Sequence, residues 1–98
     1  MLYRFNNDFV LRDIGGIYFA VDITDKYIYK NKKMYSVNKT AFVLLQIAQN
    51  KSIFSVEDLF NDFLPLLNAQ SINKDEILND LYLFCEDSTK RGMLEYGK

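Results

Sequence analysis

Apolar residues recur along this chain with two different periods, and the change of period divides it into a strand-forming part and a helical part. Phe9-Val10-Leu11-Arg12-Asp13-Ile14 and Ile17-Tyr18-Phe19-Ala20-Val21-Asp22 are β-rich runs separated by Gly15-Gly16. Both central residues of a type I′ turn need positive φ, so the glycine pair predicts a hairpin. In the second run Ile17, Phe19 and Val21 share one face and are expected to point into the core. Tyr27-Ile28-Tyr29 and Met34-Tyr35-Ser36-Val37 flank Lys30-Asn31-Lys32-Lys33, the pattern of a second, more polar hairpin. There Tyr35 and Val37 share one face, and Met34 and Ser36 the other. Three or four antiparallel strands are expected.

Beyond Val37 the spacing becomes helical, and three starts carry the same capping chemistry. Asn38 can cap a helix over Lys39–Gln49, with Val37 before it and Phe42 at the fourth helical position. Ser55 can cap a second from Val56, with Phe54 and Leu59 as the equivalent pair and Asp58 near the capping-box position. Asn73 can cap a third from Lys74, with Ile72 and Ile77 as the pair and Glu76 completing an N-x-x-E box. An apolar residue before the cap packing on the fourth helical residue is a hydrophobic staple. Val56, Leu59, Phe60 and Phe63 form the apolar stripe of the second helix, which Pro65 stops or kinks. Ile77, Leu81, Phe84 or Cys85, and Ser88 form that of the third. Lys90-Arg91-Gly92 ends it, with cations suited to the macrodipole and a glycine for a left-handed exit. Met93–Tyr96 can close the chain as a short strand. Strands followed by three helices predict an α+β domain, winged-helix-like, with its N-terminal three- or four-stranded antiparallel sheet placed first.

Composition narrows the function classes. The 98 residues are 49% apolar and 26% charged, which suits one globular domain over residues 1–98, with residues 1–8 read as a flexible start. There is no histidine and one cysteine, so histidine-based triads, a disulfide framework and a zinc site are not expected within the chain. The chain reads as a binder rather than an enzyme, with no cofactor. No apolar run approaches the ~18 residues of a membrane span, and the polar start does not read as a signal peptide. A cytoplasmic domain without membrane contact is expected.

Charge is unevenly placed. Asp25–Lys39 holds five lysines (Lys26, Lys30, Lys32, Lys33, Lys39) and one acid, whereas Lys51–Glu95 holds nine acids against four bases. Two readings fit the lysines. They guard an edge strand against aggregation, or they favour an acidic partner strand at that edge. Either way the strand ending at Val37 is expected to be an edge. A winged helix suggests DNA, but the third helix carries Asp75, Glu76, Asp80, Glu86 and Asp87, which repel phosphates. No nucleic-acid partner is expected. Phe19, Phe42, Phe60, Phe63 and Phe84 are expected to be inward, and Cys85 is expected to act as a small buried hydrophobe.

The order of these elements and four motifs resemble the PqqD-like family, the precursor-peptide recognition elements of ribosomal peptide modification pathways. Val10-Leu11-Arg12-Asp13-Ile14 resembles the family's opening strand, and Ile17-Tyr18-Phe19-Ala20-Val21 its second. Met34-Tyr35-Ser36-Val37-Asn38-Lys39-Thr40-Ala41 is similar to its strand-to-helix junction. Ile77-Leu78-Asn79-Asp80-Leu81-Tyr82-Leu83-Phe84, with Arg91-Gly92-Met93-Leu94, resembles its last helix and exit. Lys39 stands where the family usually has an acid, and Leu45 where it often has Trp. The resemblance implies a non-catalytic domain that binds the leader segment of a precursor peptide as an added strand. It would present that peptide to a modifying enzyme, often a radical SAM enzyme. By this likeness the peptide lies along Lys33, Met34, Tyr35, Ser36 and Val37, in a groove walled by Ile77, Asp80, Leu81 and Phe84. For Val37, Leu81 and Phe84 core packing is an equally good reading. The alternative is a winged-helix transcriptional regulator or protein-recruiting adaptor.

Overall fold

The computed structural model describes residues 1–23, 34–67 and 73–97. Its strands are β1 (Tyr3–Phe5), β2 (Phe9–Ile14), β3 (Ile17–Asp22), β4 (Met34–Val37) and β5 (Leu94–Tyr96). Its helices are α1 (Lys39–Gln49), α2 (Val56–Phe63) and α3 (Lys74–Lys90), with a 3₁₀ turn at Leu64–Leu66. The expected strand Tyr27–Tyr29, the lysine turn through Lys33, and Ile72 lie outside the described residues.

The α+β layout expected from the periodicity is present: a β2-β3-β4 antiparallel sheet, a β1-β5 pair and three helices. Gly15 and Gly16 have φ of 61° and 84°, closing β2 on β3 through the two-residue turn with Ile14 opposite Ile17. The Asn38 side chain accepts the Ala41 N–H at 2.8 Å, and that of Asn73 the Glu76 N–H at 3.2 Å. At Ser55 both halves of the capping box form with Asp58, a geometry that holds the Asp58 carboxyl below its ordinary range. The terminus of α3 is a full Schellman turn. Gly92, at φ 86°, donates to Thr89 O, and Met93 donates to Ser88 O.

Two expectations are corrected. Residues 1–8 are not a flexible start: Tyr3–Phe5 pair with Leu94–Tyr96, and Tyr3 and Phe5 are buried. Tyr3 also exchanges backbone hydrogen bonds with Phe54 at 2.8 and 2.9 Å, so both chain ends enter the core together. The second correction concerns β3. Ile17, Phe19 and Val21 lie on the face away from the helices, while Ala20 is fully buried and Tyr18 packs its ring, tilted, against Phe42 of α1 with centroids 4.7 Å apart. Register explains the choice. Ala20 stands between Leu11 and Tyr35, and this row packs on the helical core with Phe9. A small residue there lets α1 approach the sheet.

The core joins all layers: Tyr3, Phe5, Phe9, Leu45, Phe54, Leu59, Leu81, Cys85 and Leu94 are each at most 4% exposed. Leu81, Cys85 and Ser88 follow the expected stripe of α3. Glu86 ties the terminal strand pair to that helix, accepting from the hydroxyls of Tyr3 at 2.7 Å and Tyr96 at 3.1 Å. Among the described residues no helix is long and apolar enough to cross a membrane.

Candidate functional site: the open edge of β4 and the cleft beside α3

β4 pairs with β3 on one side, and among the described residues no strand lies on its other side. The direction of its donors follows from the ladder. The Gly-Gly turn closes on Ile14–Ile17 as a hydrogen-bonded pair, and the Ile23 N–H donates to Asp8 O at 2.7 Å. Ile17, Phe19, Val21 and Ile23 therefore turn their backbone groups to β2, and Tyr18 and Ala20 turn theirs to β4. Tyr18 faces Val37 and Ala20 faces Tyr35, so Tyr35 and Val37 use their groups inward. Met34 and Ser36 direct N–H and C=O to the open edge. An extended segment laid there would meet two donors and two acceptors of the spacing a β-ladder requires.

Beside this edge lies a cleft against α3. Its part nearest the strand, about 210 Å³, is lined by Ser36, Val37, Ala41, Leu45, Phe84 and Arg91, among others. It continues past the α1 N-terminus into a larger part of about 380 Å³, where Leu44, Phe63, Leu67, Ile77, Leu81 and Phe84 make a largely apolar lining. Asn38, Ala41 and Phe84 border both parts, so the two form one trough along the helix. The size is that of a ligand-binding cleft, apolar in its larger part and more polar beside the strand.

Those polar groups are specific. Asp80 lines the larger part and Asp87 the smaller. Arg91 donates from Nε to Asp87 Oδ2 at 3.0 Å, and its guanidinium stands 5.4 Å from the ring centroid of Tyr35. Ser88 lines the smaller part although it is only 1% exposed, and among the described residues its hydroxyl has no hydrogen-bond partner. A buried hydroxyl without a partner costs stability, which makes it a group that an incoming donor or acceptor would satisfy. Cys85 is sealed within the core. Burial first, and then the neighbouring Glu86 charge, push its thiol up to about 12, so it stays protonated and is no nucleophile.

The residues expected from the sequence are thus divided. Ser36, Val37, Ile77, Asp80, Leu81 and Phe84 line the trough. Tyr35 lies beneath it, stacked on Phe9 at 6.3 Å and covered by Arg91. Met34 belongs to the edge through its backbone, but its side chain is 58% exposed on the opposite face of the sheet. Lys33 lies outside the described residues. Sequence reasoning missed Leu44, Leu45, Phe63, Asp87, Ser88 and Arg91 as lining. A usable signal was Ala41, a small residue one turn into α1 that leaves the trough floor open. Comparison with models of known families, with curated proteins and with solved structures finds no match.

Proposed function

We propose that this domain binds an extended peptide segment by strand addition to β4 and acts as a peptide chaperone or adaptor. The observation that carries the reading is the pair of outward-directed backbone positions, Met34 and Ser36, running beside a trough that is mixed in polarity next to the strand and apolar farther along α3. Backbone hydrogen bonds would supply sequence-tolerant affinity, and alternate peptide side chains would fill the trough for specificity. The resemblance to the PqqD-like family gives the ligand class: the leader of a ribosomally made precursor peptide, held in the cytoplasm for a modifying enzyme such as a radical SAM enzyme. The site residues of this reading are Met34, Ser36 and Val37 on the strand with Ile77, Asp80, Leu81, Phe84 and Ser88 on α3. The exposed carboxylates of Asp75, Glu76, Asp80 and Asp87 along α3 weigh against a DNA-reading helix.

The test is titration of isotope-labelled protein with leader segments of precursor peptides encoded beside its gene. Amide signals of Met34–Val37 and of the trough side of α3 should move together. Shifts confined to α2, or to the Gly15-Gly16 hairpin, would overturn the site.

A further inference from the structure

The sheet face turned away from the helices is apolar and uncovered among the described residues. Ile14, Ile17, Ile23 and Met34 are 53–63% exposed, and Val10, Phe19 and Val21 lie half-buried between them. Such a face leaves on the order of 500 Å² open, near the upper range for the largest patch of a monomer. Closing two such faces on each other would bury about 1,000 Å², the lower bound of a specific protein interface.

The charges on this face identify the occupant. Val10, Val21 and Met34 stand in one cross-strand row through its middle. Arg12 lies two residues after Val10 on β2, and Asp8 stands in the turn that leads into β2, where its carbonyl accepts the Ile23 N–H and extends the ladder; the two are exposed and opposite in sign. Among the described residues, the Arg12 guanidinium donates only to the carbonyl of its neighbour Leu11, at 2.9 Å.

We propose that this face is a self-association surface, on which two copies pack about a two-fold axis running along the Val10–Val21–Met34 row. That operation lays β2 antiparallel over β2 of the second copy. It sets Arg12 against the second copy's Asp8, and Phe19 against its Ile23, each contact occurring twice as an isologous interface requires. Two sheets packed face to face in this way are about 10 Å apart with their strands roughly aligned. The open edge of β4 stays outside the interface, so each copy keeps its own peptide site. The proposal does not depend on the peptide reading.

The experiment is sedimentation equilibrium of the purified chain from low micromolar concentration upward, without peptide. The native chain should form a concentration-dependent dimer. Arg12→Asp places two acids opposite each other and should raise the dimer dissociation constant at least ~10-fold. The exchanged variant Asp8→Arg/Arg12→Asp restores the pairing and should return most of that loss. Circular dichroism melts of both variants check that the fold is kept. A native chain that stays monomeric throughout overturns the proposal, as it would if the occupant were a different protein. A dimer indifferent to Arg12→Asp, or one that the exchanged variant fails to restore, places the interface elsewhere and overturns it equally.

Discussion

Ala20 and Val21 are neighbours on β3, yet Ala20 is sealed from solvent while Val21 looks outward with Ile17 and Phe19. By side-chain hydrophobicity the outer row should have won the core. It did not, because the inner row is the one whose cross-strand partners, Leu11 and Tyr35, pack on the helical core with Phe9. Burial in a sheet is decided by register and by what covers each face, since slipping one residue exchanges the whole set. Among the described residues the outer face is left apolar and open, and the edge beside it is left unpaired. Those two unfinished surfaces are where partners are expected.

The comparison is broken most sharply by one polar substitution on either side of β3. Ala20→Asp puts a carboxylate where no water reaches it and should cost about 3 kcal/mol or more, seen as loss of cooperative melting. Ile17→Thr, on the open face, should change the stability of dilute protein by no more than about 0.5 kcal/mol. Equal effects would mean that the faces are misassigned.

Backbone direction gives the next contrast. Tyr35→Pro removes a donor used against β3 and disturbs the stacking on Phe9, so a loss of about 2–3 kcal/mol is expected in urea melts. Ser36→Pro removes a donor that faces the open edge. That variant should stay folded and lose at least ~1 kcal/mol of peptide affinity, about the net worth of one hydrogen bond.

An alkaline titration separates the core side from the open side in another way. Burial first, and then the hydrogen bond to Glu86, raise the Tyr3 hydroxyl above its ordinary range. Cys85 is raised by burial as well. Both folded values exceed the unfolded ones, so their contribution is fully present below the ordinary thiol and phenol ranges and is lost as pH climbs through and above them. The melting temperature should fall above about pH 10, and Tyr3→Phe should flatten that fall. A melting temperature unchanged through this range would contradict the burial of Tyr3.

The smallest effect is expected at Ser88. Ser88→Ala removes a buried hydroxyl that has no partner among the described residues, so stability should hold or rise by up to about 1 kcal/mol, while peptide affinity measured by calorimetry should fall. Affinity unchanged by this substitution would remove Ser88 from the site.

Much of this was legible in the sequence because it is local. The caps at Asn38, Ser55 and Asn73, the Gly15-Gly16 turn and the Gly92 exit each depend on residues within five positions of one another. What was not legible is long-range. Nothing near Tyr3-Arg4-Phe5 announces a buried strand, since its partners are Leu94–Tyr96 and Phe54. The facing of β3 is not legible locally, because its outer row is the more apolar one and the deciding contacts come from β2, β4 and α1. The trough was half legible. The α3 stripe named Ile77, Leu81, Phe84 and Ser88, whereas Asp87 and Arg91 enter only because the last turns of α3 lie beside the end of β4.

The most direct test of the docking edge is amide hydrogen exchange at β4 with and without a bound leader peptide. In the free protein Tyr35 and Val37 should be protected while Met34 and Ser36 exchange freely. On binding, Met34 and Ser36 should become protected, with Tyr35 and Val37 little changed. Tight binding that leaves Met34 and Ser36 exchanging at their free rates would contradict strand addition and move the peptide to the α3 trough alone.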